Sequence, residues 1–128
     1  MRLLIDSHIL IAIADERRGD LPAKVLRVLH EPANKLFVSV ASLWEIAIKV
    51  RLGKLVMLTP LEELPDLCAV MPAGLIRIEP NHALAQLNVT PPTRDPFDRL
   101  LLAQCQCDDL RLVTLDRALA GHPLAAQP

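Results

Sequence analysis

The sequence predicts an α/β fold in which a parallel β-sheet is covered by helices on both faces. Short runs of apolar and β-branched residues without polar alternation, such as 36–40, are typical of strands buried on both sides. Segments with helical periodicity lie between these runs, and strands that alternate with helices favour parallel pairing. With 128 residues and 52% hydrophobic residues, the chain is predicted to form one domain, residues 1–128, with its own core.

The first half of the chain is predicted to contain two strands and three helices. The strands lie at 2–5 and 36–40, the helices at about 8–14, 20–30 and 42–52, and a solvated turn lies at 15–20. The predicted caps of these helices are Asp6 or Ser7, Asp20, and Ser42. Ser42 and Glu45 match a capping box, and Gly53 stands where this third helix ends.

The second half is predicted to contain two further strands, at 75–78 and 110–114. Thr59 and Glu62 match a capping box with Pro60 at the first helical position, and Pro65 is expected to kink the helix that follows. Further helices are predicted from the caps Asn81 and Asp95, ending at about Leu87 and Cys107, and Asp116 opens a final helical turn.

Four carboxylates follow the predicted strands, where each strand gives way to a helix. They are Asp6, Glu45, Asp98 and Asp116. In a parallel sheet all strand-to-helix junctions meet at the carboxyl edge, so these side chains are expected to lie together.

Helix capping explains each of these acids individually, and caps gather at that edge in any parallel sheet. Serine, threonine and asparagine cap helices as well as aspartate does, however, whereas four converging carboxylates repel one another and acquire raised pKa values. The repeated choice of an acid therefore favours a cation site. Hard oxygen ligands suit Mg²⁺ or Mn²⁺, and such sites commonly catalyse phosphodiester hydrolysis by activating a water molecule.

Composition excludes several other functions. Four glycines without a G-x-G-x-x-G or G-K-[ST] motif argue against dinucleotide and nucleoside-triphosphate sites, and no G-x-S-x-G motif is present. The histidines show no ligand spacing.

The net charge of −1 provides no general attraction to nucleic acid, and only 2% aromatic residues make a base-stacking platform improbable. RNA contacts are expected to run through phosphates, with Arg99, Arg117, Lys49 and Arg51 as candidate partners or as ordinary solvated residues.

The cysteines and the hydropathy pattern favour a cytoplasmic protein. Cys68, Cys105 and Cys107 form neither a disulfide framework nor a zinc spacing, and buried structural thiols are expected. No run approaches the roughly 18 uncharged apolar residues of a membrane span.

Four blocks of the sequence resemble PIN-domain proteins, specifically the VapC-type toxins of bacterial toxin–antitoxin pairs. The blocks are LIDSHIL at 4–10, SVASLWEIAIK at 39–49, DPFDRLLLAQ at 95–104 and LVTLD at 112–116. The resemblance spans nearly the whole chain, and its specificity lies in the four blocks occurring in order. Ser7 and Leu115 depart from the family, which often has threonine and a basic residue there.

The resemblance implies a three-layer α/β/α PIN-like fold with a central parallel sheet of four to five short strands. It implies a Mg²⁺- or Mn²⁺-dependent endoribonuclease in which Asp6, Glu45, Asp98 and Asp116 are the metal-binding and catalytic acids. Asp95 is assigned to capping or to support of the site, and Thr114 to orienting a ligand or water.

The same resemblance implies protein partners: a cognate antitoxin covering the active-site groove, and a second copy in a homodimer. The apolar residues in 56–61, with Leu64, Leu67 and Val70, are a candidate surface for them, although core packing explains much of this pattern equally well. Two alternatives remain: a PIN-like binding subunit without turnover, and a Mg²⁺-dependent phosphatase or receiver-like phospho-acceptor. The absence of a D-x-D motif after the first strand disfavours the second.

Overall fold

The computed structural model describes residues 1–71 and 74–127, and within them it contains a four-stranded, all-parallel sheet. The strands are β1 (Arg2–Ile5), β2 (Lys35–Ser39), β3 (Gly74–Ile76) and β4 (Arg111–Val113), in the order β3-β2-β1-β4. The helices are α1 (Ser7–Ala14), α2 (Ala23–His30), α3 (Val40–Arg51), α4 (Leu64–Ala69), α5 (Pro80–Leu84) and α6 (Pro96–Asp108). Single 3₁₀ turns lie at Arg18–Asp20 and Leu61–Glu63.

Alternate residues of each strand pack on opposite faces of the sheet, as strand geometry requires. Leu3 and Ile5 belong to a buried cluster that includes residues of α1, α2, α3 and α4. Leu4 belongs to a second cluster, formed largely by α6 and the segments around β4. Helices therefore cover both faces, which confirms the predicted three-layer α/β/α fold.

Helix α3 begins earlier than predicted. The Oγ of Ser39 accepts the N–H of Ala41 at 3.0 Å, so Ser39 rather than Ser42 is the N-cap. The predicted capping box is therefore wrong: Ser42 lies inside the helix, and Glu45 occupies the second turn. The sequence could not separate the two serines, because both precede a segment of helical periodicity.

The helix predicted to follow Thr59 also begins elsewhere. The Thr59 hydroxyl lies 2.8 Å from both Oδ1 of Asp15 and the carbonyl of Ala14, so it is not available to cap a helix. A single 3₁₀ turn follows, and α4 starts only at Leu64. Pro65 consequently lies in the first helical turn, where no helical hydrogen bond is lost and no kink is required.

The remaining predicted boundaries shift by a few residues. Pro22 rather than Asp20 precedes α2, Glu79 rather than Asn81 precedes α5, and α5 ends at Leu84. The segment after Asp116 forms hydrogen-bonded turns rather than a helix.

Asp15, predicted to lie in a solvated turn, is buried and anchors the segment between α3 and α4. Its carboxylate accepts the N–H groups of Leu58 at 3.0 Å and Thr59 at 2.9 Å. Burial would raise the pKa of Asp15, but these hydrogen bonds, that of the Thr59 hydroxyl and the charge of Arg17 outweigh it and lower the pKa below 3.8.

Replacing Asp15 by asparagine is expected to lower the free energy of unfolding by about 2 kcal/mol, because an amide cannot accept at both oxygen positions. Since the folded pKa is depressed, this contribution is complete above pH 3.8 and is lost as the pH falls through the folded pKa. Urea unfolding of wild type and variant at neutral and acidic pH measures both effects. Asp20→Asn, at an exposed carboxylate nearby, is the matched control and should change stability by less than about 0.5 kcal/mol. Equal stability of the Asp15 variant and wild type at neutral pH would contradict the anchoring role.

Two of the three thiols are buried as predicted, and one is not. Cys68 and Cys105 lie in the core, and burial raises the pKa of Cys105 to about 12, whereas Cys107 is exposed. Among the described residues, no helix combines the length and the apolar character that crossing a membrane would require.

Candidate active site

Asp6 lies at the carboxyl edge of the sheet and is held rigidly between two adjacent strands. Its N–H donates to the carbonyl of Val113 at the end of β4, at 3.1 Å. Its Oδ1 accepts the N–H of Ile9, which caps α1, and its Oδ2 accepts the N–H of Leu115, both at 3.1 Å. Asp6 is thus both a helix cap and a link to the segment that carries Asp116.

Glu45 and Asp98 reach the same region from two neighbouring helices. Glu45 is buried on α3, and Asp98 is half-buried in the first turn of α6. Helices α3 and α6 are in direct contact there, because the rings of Trp44 and Phe97, the residues preceding the two acids, lie 5.7 Å apart. Asp116 is exposed on the segment after β4.

The electrostatics of Asp98 show that these acids act on one another. Burial, followed by the charges of Asp95, Asp116, Glu45 and Asp6, raises the pKa of Asp98 to about 6. The folded chain therefore brings these acids near enough for their charges to act on Asp98.

Lys49 places a positive charge inside this group of acids. Its Nζ lies 2.7 Å from Oε2 of Glu45, one helical turn away on α3. This hydrogen bond, and the charges of Glu45, Asp95 and Asp98, raise the pKa of Lys49 despite partial burial. The sequence left two possibilities for Lys49, a solvated helix face and a phosphate contact. In the folded chain its ammonium is instead paired with the carboxylate of Glu45.

Replacing Lys49 by glutamine is expected to strengthen Mn²⁺ binding about fivefold, because it removes a competing cation and releases Glu45. The figure corresponds to about 1 kcal/mol for one charge a few ångströms away in a partly solvated setting. Calorimetric titration measures it, with Arg51→Gln as a matched control at an exposed cation of the same helix. Unchanged or weaker Mn²⁺ binding in Lys49→Gln would contradict the competition.

Three further residues support the acids. Asp95 caps α6, because its Oδ1 accepts the N–H of Phe97 at 2.9 Å, as predicted. Thr114 accepts the N–H of Asp116 through its Oγ1 at 3.0 Å, so it orients the acid itself. Thr93 was missed by sequence reasoning: its Oγ1 accepts the N–H of Asp95 at 3.1 Å and lies 3.5 Å from Oδ2 of Asp98. The sequence pattern that could have indicated Thr93 is a hydroxyl residue two positions before Asp95, the cap of α6.

The candidate phosphate-binding arginines, Arg99 and Arg117, are both exposed. Arg99 follows Asp98 on α6 and lines a cavity of about 720 Å³ between α6 and the segment after α5. Arg117 follows Asp116 and is solvent-exposed. The buried histidines have structural partners instead: His82 Nε2 lies 3.0 Å from Oδ2 of Asp108, and His122 Nε2 lies 2.9 Å from the carbonyl of Val89.

The acids fit a hard divalent cation in donor chemistry and charge. Carboxylate oxygens are the preferred ligands of Mg²⁺ and Mn²⁺, and a cation would relieve the repulsion that Asp98 carries. The Ser42 hydroxyl, one helical turn before Glu45 on α3, is buried without a hydrogen-bond partner among the described residues, as for a group that a ligand or water completes. Within residues 1–71 and 74–127, however, no three His, Cys, Asp or Glu side chains are grouped closely enough to hold a metal ion.

A parallel α/β/α sheet with acids at its carboxyl edge is compatible with several classes of metal-dependent phosphoryl-transfer enzyme, nucleases among them. The family model for the PIN domain matches residues 3–122, and the chain therefore belongs to the PIN-domain family. PIN domains are in general metal-dependent nucleases that bind RNA. A comparison with curated proteins found none that matches this chain.

Proposed function

We propose that this protein is a Mg²⁺- or Mn²⁺-dependent endoribonuclease and that it acts in the cytoplasm as a VapC-type toxin of a toxin–antitoxin pair. The observation that supports the activity best is the position of Asp98, half-buried near four other acids, where burial and then their charges raise its pKa to about 6. Repulsion among neighbouring carboxylates destabilises the fold, so its presence indicates selection for function. Carboxylates with perturbed pKa values cluster at active sites. The order of the four sequence blocks supports the toxin class.

In the proposed site, Asp6, Glu45, Asp98 and Asp116 are the residues that would hold the metal, and they would have to draw closer together to do so. Asp6 does so from a fixed position, because two backbone N–H groups orient its carboxylate. Bound Mg²⁺ or Mn²⁺ would supply an activated water and neutralise charge on the phosphoryl oxygens. Two groups serve the RNA backbone in this proposal: Arg99 and Arg117 are exposed next to the acids and can pair with flanking phosphates.

The partner proposals, a homodimer and a cognate antitoxin, are supported by exposed apolar residues at the end of α3 and in the segment after it. Leu52, Val56 and Leu58 are 63%, 79% and 74% exposed. The sequence-predicted surface is partly different, because Leu64 is buried and Leu61 and Leu67 pack against the core. Val70 is exposed, as expected for a surface residue.

The experiment that tests the activity is incubation of the purified protein with total cellular RNA in Mg²⁺, in chelator, and with the Asp98→Asn variant. We expect new internal 5′ ends only for the wild type in Mg²⁺, with Asp66→Asn, at an exposed acid of α4, cleaving like the wild type. Cleavage that persists unchanged in chelator or in Asp98→Asn would rule out the proposed site. Absence of cleavage by a folded, metal-binding wild type would instead favour a binding subunit without turnover.

A further inference from the structure

The two aromatic residues beside the acids form a pair that the proposed chemistry does not use. Trp44 precedes Glu45 on α3, and Phe97 lies between Asp95 and Asp98 on α6. Their ring centroids are 5.7 Å apart and their planes meet at 78°, an edge-to-face contact. The sequence contains only three aromatic residues, and their scarcity argued against a stacking platform, but folding brings two of them together next to the site.

Phe97 is held in place by the site itself. Its N–H donates to Oδ1 of Asp95 at 2.9 Å, so the first turn of α6 positions the ring as well as Asp98. Contact with Phe97 in turn limits the orientations open to the Trp44 indole. The indole nevertheless remains 60% exposed. Because the two faces make up most of the area of a flat ring, at least one face of Trp44 is largely open to solvent.

The surroundings of Trp44 favour a single flat ligand over an extended apolar surface. Among the described residues of α3, the other large apolar side chain that is strongly exposed is Leu52, at 63%, in the capping position. It lies about 12 Å further along the helix axis. Along α3 the exposed apolar surface at Trp44 is therefore a single ring, which is smaller than the apolar patches that bind protein partners.

Because the site is rich in negative charge, a contact with RNA that does not involve phosphate would add to the binding free energy. Carboxylates that no cation neutralises repel phosphates, and the ammonium of Lys49 beside them is already paired with Glu45. Stacking of a base on an aromatic ring requires no cation and contributes about 1–3 kcal/mol per base. A base in a continuous duplex is already stacked on both faces, so only an unpaired base can use the ring without unstacking its neighbours.

We infer that the open face of the Trp44 indole, oriented by Phe97, is a stacking site for an unpaired base of the RNA substrate, beside the acid cluster. This inference rests on the proposed function, because it places the base next to the acids of the proposed metal site. Trp44 binds substrate in this scheme, and Phe97 is a positioning residue.

The test uses the fluorescence of Trp44, which is the only tryptophan in a chain without tyrosine. Cleavage is prevented by working with the Asp98→Asn variant in Mg²⁺. Random single-stranded RNA of about 12 nucleotides is expected to quench the emission, whereas a duplex of the same length and inorganic polyphosphate are expected to leave it unchanged. Polyphosphate carries charge without bases, so it separates stacking from phosphate binding.

Affinity for the labelled single strand supplies the second measurement. Trp44→Ala and Trp44→Leu, added to the same background, are expected to weaken binding about 5- to 150-fold, and Trp44→Phe is expected to retain most of the affinity. Leucine keeps the apolar volume without a π-face, so its loss of binding would identify stacking rather than packing. Leu84→Ala, at a strongly exposed apolar residue of α5, is the control and should bind like the parent.

The outcomes separate the inference from the proposed function. RNA cleavage by the wild type without quenching, and unaffected by Trp44→Ala, would overturn the stacking site and leave the nuclease in place. Quenching by single strands without any cleavage by the wild type would support the stacking site and overturn the proposed activity. A change of oligomeric mass in Trp44→Ala, with no response of Trp44 to RNA, would assign the ring to a protein interface and overturn the inference.

Discussion

Replacing Asp98 by asparagine is expected to reduce RNA cleavage by about 1000-fold or more, and at the same time to stabilise the metal-free protein at neutral pH. The loss of activity follows because the metal site contributes several kcal/mol to stabilising the transition state, and Asp98 is one of its carboxylates. The gain in stability follows because the variant removes the charge on which the other acids act. Opposite signs for activity and stability are typical of a group selected for function.

The pH dependence of this gain has a definite direction. The pKa of Asp98 is raised from 3.8 to about 6 by burial and by the neighbouring acids, so the folded protein retains its proton in a pH range where the unfolded chain has lost it. The contribution of Asp98 to stability is therefore present below pH 3.8 and is lost as the pH rises through about 6. At about pH 7.5 the asparagine variant should be more stable by about 1 kcal/mol, a value reduced for the partial exposure of Asp98. Below about pH 4 the difference should vanish.

Urea unfolding in chelator at several pH values measures the gain, and addition of Mn²⁺ should reverse the order of the two proteins. A ligand that binds only the folded state stabilises the protein that retains its site, which here is the wild type. If Asp98→Asn were less stable than wild type throughout the pH range, Asp98 would be a structural residue and not a strained functional one.

Asp6→Asn is expected to have the opposite effect on stability, lowering the free energy of unfolding by about 2–3 kcal/mol. Both oxygens of the buried Asp6 carboxylate accept backbone N–H groups, from Ile9 and from Leu115. An asparagine side chain has one acceptor oxygen, so its NH₂ group would face one of these donors and leave it unsatisfied. This cost exceeds the relief of removing one of several charges.

Urea unfolding in chelator measures this loss, and Asp116→Asn provides the matched control. The exposed Asp116 carboxylate accepts a single N–H, from Ala118, so its replacement should cost less than about 1 kcal/mol. If Asp6→Asn were as stable as wild type, the two hydrogen bonds to Asp6 would not contribute to the free energy of unfolding. The expected result also means that lost activity in Asp6→Asn is ambiguous, and that Asp98→Asn is the cleaner probe of the chemistry.

The sequence predictions were accurate for features that depend on neighbouring residues and less accurate for features that depend on contacts between distant segments. The α/β class and the four strands were predictable because apolar runs and helical periodicity are local properties of the chain. The cap of α6 was predictable for the same reason, since Asp95 and Phe97 are two residues apart. Ser39 was missed as the cap of α3 because Ser42 satisfies the same local pattern, and only the end of β2 distinguishes the two.

The candidate site divides in the same way. The amino-acid order identifies four candidate acids near the starts of helices, and a parallel sheet brings its strand-to-helix junctions to one edge. Folding alone brings the N–H of Leu115 to Asp6 across 109 positions, and those of Leu58 and Thr59 to Asp15 across 43 and 44. It also brings Trp44 against Phe97 and places Asp98 where burial and the charges of Asp95, Asp116, Glu45 and Asp6 raise its pKa. These features depend on where distant segments pack, and no local propensity encodes such distances.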